Sequence, residues 1–464
     1  MVEALGTEGM YTQLALIVGR VAMGTLAGSE TTQATSSGPR AGAALTSRQR
    51  VEKALAHEEP DRVPLDLGGS MTTGIHASAL YRLRQGLGLE APGTPVRVIE
   101  PFQMLGEVGP DLIEALGVDV VGVNRLNNIF GFPNEDWKPW TLFDGTPVLV
   151  PGRFNTEPGP EGDILMYPEG DHSVPPSARM PKGGFYFDAL NRQEPLDDEH
   201  LEVEDNMEEF GLISDADLAH VAQEVERLWP TGKAILLNLG DTGFGDVALV
   251  PAMQRKLVKG IRDVEEWYVS LSLRPGYVRD VFERQCEIGI ANLARAYEVV
   301  GDKVTAVFVT GTDFGAQQGP LASPRTYRNL FEPFHARVNS WVHAHTGWKT
   351  FIHSCGSVRA LLDDIVDAGF DALNPVQTSA AGMGPEDLKQ SYGDRLTFWG
   401  GGIDTQRVLP FGTPDEVRAM VHDRMRIFGR GGGFVFNTVH NVQAGVPTDN
   451  LLALYQAVAD FRAY

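Results

Sequence analysis

Cysteine is almost missing from this chain: Cys286 and Cys355 are the only two in 464 residues. Two thiols cannot build a disulfide framework, which points to a reducing, cytoplasmic setting. No run of eighteen apolar residues occurs, so no transmembrane helix is expected. Positive charge is also scarce, with 39 Lys and Arg against 61 Asp and Glu and a formal net charge of −22. Nucleic acid and anionic membranes both require a basic footprint, so neither is an expected partner. The chain start carries Glu3 and Glu8 where a signal peptide would carry positive charge, and Arg20 interrupts its mildly apolar stretch.

What remains is an ordinary globular composition, 42% hydrophobic and 22% charged. Ser29 to Gly42 is rich in Ser, Thr, Gly and Ala and reads as a linker. Residues 1–44 are therefore expected to be a poorly ordered N-terminal extension, and 45–464 the folded unit.

From residue 45 onward, apolar runs alternate with helical stretches. The runs are 63–67, 118–123, 234–239, 304–309, 349–353, 372–374, 396–399 and 433–436. Ser47 can cap a helix to Ala56. Ser323-Pro324 and Thr413-Pro414 place a capping oxygen before a proline at the first helical position. Ser214 precedes an amphipathic run to Leu228, and a long helix is expected over 275–297. Strands alternating with helices imply parallel βαβ units. Eight strands predict an α/β fold of the TIM (β/α)8 barrel type, with a doubly wound open sheet as the alternative. One region departs from the alternation. Trp137 to Asp188 is rich in Pro and Gly, with strand-like pieces at 147–150, 164–167 and 185–187. It reads as a β-rich insertion after the second strand, either a lid over a site or a decorative contact surface.

Barrel active sites lie at the C-terminal strand ends, and here every strand end carries polar groups. Asp66 and His76 follow the first strand, Asn124 and Arg125 the second, and Asn238 and Asp241 the third. Asp313 follows the fourth, His353 and Cys355 the fifth, and Asn374 and Gln377 the sixth. Asp404 follows the seventh, and Asn437, His440 and Asn441 the eighth. Asp66, Asn238 and Asp404 also read as simple turn formers. His353 and Cys355 are two residues apart on an extended segment, so their side chains face the same way. An imidazole and a thiol so placed can hold zinc, or can be a core histidine beside a small buried thiol. The third ligand would be His440, with Asp313 as the carboxylate alternative. Cys286 falls inside the long helix and reads as packing. His335, His343 and His345 read as surface or helix-terminal residues.

The run His353-Ser354-Cys355-Gly356-Ser357-Val358 is followed by Leu373-Asn374-Pro375-Val376-Gln377 and a Gly-rich strand end with Asp404. Pro447-Thr448-Asp449-Asn450 then precedes the last helix. In this order the motifs resemble the uroporphyrinogen decarboxylase superfamily, closer to its cobamide-dependent methyltransferase branch, from about Leu45 to the C-terminus. The resemblance implies a TIM barrel. It also implies a zinc site made of a His-x-Cys pair and a second Cys near the C-terminal Pro-x-x-Asn segment. His353 and Cys355 match the pair; counting back from Asn450, the second Cys falls on His440. The set is therefore His/Cys/His, and one thiolate leaves the metal more electrophilic and a bound thiol less nucleophilic. The decarboxylase branch holds substrate carboxylates with arginines after the first strand, but residues 66–74 contain none. Arg125, Arg359 and Arg407 are scattered.

The expected function is a zinc-dependent methyltransferase. It would move a methyl group between a small methylated substrate or a corrinoid protein and an acceptor. Zn²⁺ would sit on His353, Cys355 and His440, with Asp313 as acid/base. Asn124, Asn374, Gln377, Asp404 and Asn437 would touch substrate. The cobamide would be carried by a separate corrinoid-binding partner, and a homodimer is the first candidate assembly. The alternative is a porphyrinogen-type decarboxylase resting on Asp313 and nearby arginines; a non-enzymatic binding protein comes third.

Overall fold

Thr46 opens the first helix, Ser47–Leu55, with a reciprocal capping box to Gln49. The computed structural model describes residues 45–463, so the segment 1–44 lies outside the described residues. Ser323 and Thr413 cap the helices Pro324–Leu330 and Pro414–Phe428, each with its proline in the first turn. Ser214 Oγ likewise accepts the Asp217 N–H at the start of Asp215–Leu228.

Seven strands pair in parallel in strict chain order: Val120–Asn124, Ala234–Asn238, Ala306–Thr310, Lys349–His353, Ala372–Asn374, Thr397–Trp399 and Phe434–Val435. Helices connect most of them, and the strands Ala234–Asn238 and Ala306–Thr310 are buried throughout, as a sheet covered on both faces requires. The sheet curls until segment 63–67 bridges its two edges. On one side the Asp119 N–H donates to Leu65 O at 2.7 Å. On the other, Phe436 N–H donates to Pro64 O at 2.8 Å and Asp66 N–H to Phe436 O at 2.9 Å.

Inside the curl, Val120, Leu236, Phe308, Phe351, Trp399 and Val435 pack with Val51, Ala54 and Leu55 of the first helix. That helix plugs the N-terminal end of the strands. The opposite end is left for chemistry.

The β-rich region differs from its expected boundaries. Six short strands lie between Lys138 and Ala189, but two more, Val96–Glu100 and Leu105–Gly106, come from before the Val120–Asn124 strand. One four-stranded sheet mixes both sources, because Val96–Glu100 pairs in parallel with Pro147–Val150. The expected strand at 185–187 falls instead at Asp188–Ala189. Long-range pairing of this kind leaves no trace in a local pattern. Phe130, Phe154 and Phe187 pack edge to face beneath these sheets. His76 ties them to the first strand end: its Nδ1 accepts the Ser78 N–H at 3.1 Å, so Nε2–H donates to Phe185 O at 2.8 Å.

Cys286 is fully buried in the helix Pro275–Val300. His335, expected at the surface or a helix terminus, lies in the first turn of Glu332–His345 but not at the surface. It is completely buried, ringed by Phe244, Phe314, Phe331 and Phe370, because its helix is covered on that face. His343 and His345 do stay exposed, bonded to Asp371 and stacked on Trp341.

Candidate metal centre

Strand alternation places the site. Phe351 faces the interior cluster, so His353, two residues on, faces inward one layer higher. Its ring stacks 6.5 Å above Phe308. The chain then turns through Ser354, and the Cys355 Sγ comes to 3.5 Å from His353 Nε2. His440, beyond the last strand, closes the group with its ring centre 5.2 Å from that of His353. One ligand atom from each of His353, Cys355 and His440 lies within 4.8 Å of the other two.

His440 sits at φ 65°, a left-handed conformation that side chains other than glycine rarely adopt. Thr438 Oγ1 holds this turn by donating to His440 O. Strain of this kind collects at functional sites, where the surroundings over-determine the backbone.

Burial keeps both imidazoles neutral, with His353 pushed down to about 4 and His440 to about 3. Neutral imidazole is the form that ligates metal. Burial, and then the nearby Asp313 carboxylate, push the Cys355 thiol well above its usual range. Asp313 accepts the Cys355 N–H at 2.7 Å. Its own carboxyl is raised by burial, with the Cys355 N–H, neighbouring His440 and the Cys355 thiol pulling the other way.

The remaining expected site residues divide. Asn374 is inside the group, with Oδ1 2.6 Å from His353 Nδ1. Gln377 stands one step away and accepts the Gly356 N–H at 2.8 Å. Asp404 caps its own turn through Gln406 N–H and Arg407 N–H at 2.6 and 2.9 Å. Asn437 Nδ2 donates to Asp66 O and Thr73 O at 3.0 and 3.3 Å, pinning the last strand end to the first. Asn124 is solvent-exposed, next to Asn238 in register.

Other residues escaped the sequence reading. Asp246, in the irregular stretch after Ala234–Asn238, has its carboxyl raised to about 6 by burial. A Cβ on Gly311 would meet its Oδ2 at 2.6 Å, so it reaches the strand end that carries Asp313. Tyr268 Oη donates to Asp313 O at 3.0 Å. Neither lies at a strand end or in a periodic pattern, and only the fold connects them to the site. Arg125 is committed to Asp241, and Arg359 to Asp387 and Tyr392.

The donor set fits zinc. Tetrahedral zinc with ordinary bond lengths sets a sulfur and a nitrogen ligand about 3.6 Å apart, close to the 3.5 Å found between Cys355 and His353.

A curled parallel α/β sheet with a partly buried N/N/S cluster at its C-terminal strand ends is the class that fold and site define. Residues 258–461, a little under half of the chain, match the family model for uroporphyrinogen decarboxylase (URO-D), in line with the resemblance to that superfamily. It is 29% identical over 196 residues to the methylcobamide:CoM methyltransferase MtaA of Methanosarcina barkeri (strain Fusaro), a match covering 40% of this chain and 50% of that protein. It is 31% identical over 100 residues to the uroporphyrinogen decarboxylase of Methylococcus capsulatus, covering 22% of this chain and 27% of that one. The alignments thus span half or less of these curated relatives. A solved methyltransferase from Methanosarcina mazei shares the fold, with a TM-score of 0.50 and 16% identity over 90% of this chain and all of that one. No helix among the described residues is long and apolar enough to cross a membrane.

Proposed function

We propose that this protein is a zinc-dependent methyltransferase of the corrinoid-linked kind. In this reading the eight strands form a complete TIM barrel, 45–464 is one domain, and the small sheets around 137–188 roof the site. The observation that carries it is the convergence of His353, Cys355 and His440 within 4.8 Å at the C-terminal strand ends. The longer curated alignment, to a methyltransferase, supports it.

His353, Cys355 and His440 would hold the zinc, which when bound would supply Lewis-acid chemistry. Asp313 anchors the Cys355 turn by accepting its N–H, lies beside the thiol, and is the proposed acid/base toward substrate. With Cys355 as the single thiolate, that Lewis-acid chemistry would suit a methyl donor's oxygen better than a thiol acceptor. Gln377, behind the Gly356 turn, holds the wall of the substrate space. A small methylated substrate and a separate corrinoid-binding protein at the strand-end face complete the scheme.

Metal analysis of the purified protein tests this. One zinc per chain is expected, falling sharply in Cys355→Ser. No stoichiometric metal, or metal content unchanged by that substitution, overturns the reading.

A decarboxylase is the second reading, favoured by the shorter match to uroporphyrinogen decarboxylase. Against it, residues 66–74 have no arginine, and Arg125 and Arg359 are already paired with acids. A polycarboxylate substrate needs a free cationic cluster. Uroporphyrinogen turnover retained by Cys355→Ala would reverse this preference.

A further inference from the structure

We infer that Asn374 is a positioning residue that sets the tautomer of His353 and so decides which ring nitrogen faces the metal space. The argument begins with a carbonyl that can only accept. Trp399 O lies 2.8 Å from one terminal atom of the Asn374 amide, which must therefore be the NH₂ group. The other terminal atom is then the oxygen, and Thr72 Oγ1 donates to it at 3.2 Å. That oxygen lies 2.6 Å from His353 Nδ1. Two lone pairs cannot face each other at that distance, so Nδ1 carries the proton. His353 is buried and neutral, so Nε2 is left bare, and it points at the Cys355 sulfur 3.5 Å away. No bulk water reaches the ring to supply a different partner.

The relay is itself held rigid. Trp399 Nε1 donates to the buried Asp66 carboxylate at 2.8 Å. The orientation of one ring nitrogen thus depends on groups from the first, sixth and seventh strand ends. In this role Asn374 acts through His353, whether or not it also meets substrate as the sequence led us to expect. The consequence for metal binding rests on the zinc reading above; the tautomer does not.

Two measurements on the full chain test the inference. The first is ¹⁵N NMR of histidine-labelled, metal-free protein, with the His353 signal identified by its loss in His353→Gln. A single Nδ1–H tautomer is expected in the wild type, and a mixed or reversed one in Asn374→Leu. The second is zinc competition against a chromophoric chelator. Asn374→Leu should bind zinc about 10- to 100-fold more weakly, while Asn374→Asp, which keeps an oxygen facing Nδ1, should stay close to wild type. An unchanged tautomer or unchanged zinc affinity in Asn374→Leu overturns the inference. If Asn374→Leu does not fold, Asn374→Asp decides: its carboxylate must move the His353 Nδ1–H proton downfield, and no shift overturns the proposal. A wild type that binds no zinc defeats the functional reading, and the tautomer still judges Asn374.

Discussion

The Cβ that Gly356 lacks would lie 2.4 Å from the carbonyl carbon of Gly315. The two strand-end turns that carry Asp313 and Cys355 therefore nest backbone against backbone. Gly356 also sits at φ 81°, so it meets both a steric and a conformational demand. This nesting lets Asp313 reach the Cys355 N–H and Ser354 Oγ reach the Phe314 N–H. Gly356→Ala should push the turns apart and cost roughly 1–3 kcal/mol. Thermal unfolding of the metal-free protein should show the loss, and zinc content should fall with it. Wild-type values for both would show that the contact is not needed.

His440 gives a second prediction, through its left-handed backbone. Alanine ordinarily stabilises a protein relative to glycine by restricting the unfolded chain. At this position the order should reverse, because a Cβ in the left-handed region costs about 1–2 kcal/mol. His440→Gly should unfold at a higher temperature than His440→Ala, while both lose the same ligand and bind zinc equally poorly. If alanine proves the more stable, the backbone at 440 carries no strain.

Much of this was legible in the sequence because it is local. Seven of the eight apolar runs formed paired strands, and the eighth, 63–67, bridges the sheet edges through a few backbone bonds. The Ser323 and Thr413 caps formed as their chemistry requires. The His353/Cys355 pair was legible for the same reason, since alternation along a strand is a two-residue property. What stayed hidden depends on residues far apart in the chain. Nothing near Val96 announces that it pairs with residues 147–150, and nothing near Asp246 announces that it lies against Gly311. The bonds of Asn374 to Thr72 and Trp399 were hidden for the same reason, because those partners come from other strands.

His335 yields a prediction about acid. Burial in its aromatic cage lowers its pKa to about 3, against an ordinary value near 6.5 in the unfolded chain. Below pH 6.5 the unfolded state takes up a proton that the folded state refuses until about pH 3. This residue's contribution to stability is therefore complete above pH 6.5 and falls as the pH drops through that window, by up to about 1.4 kcal/mol per pH unit. His335→Phe removes that dependence and suits a cage of phenylalanines, although Tyr327 loses its 3.1 Å partner. Unfolding free energies measured from pH 7 to pH 4 should decline less steeply in the variant. Parallel pH profiles would mean that His335 titrates freely.

The opposite end of the strands gives the last prediction. Asp119 is completely buried there, bonded to Arg50 and Arg62 at 2.8 Å each, with Arg462 at 3.6 Å and the Leu65 N–H at 3.0 Å. One carboxylate thus joins the first helix, the closing segment 63–67 and the C-terminal end of the chain. Removing one partner of such a network leaves buried cations uncompensated, which costs about 3–5 kcal/mol. Asp119→Ala should lower the unfolding midpoint in denaturant more than Gly356→Ala does. On the proposed barrel reading it should nevertheless leave zinc affinity per folded molecule unchanged, because barrels keep stability at the N-terminal face and chemistry at the other. Chelator competition at a temperature where the variant remains folded separates the two effects. A parallel loss of zinc affinity would show that the two ends of the strands are coupled.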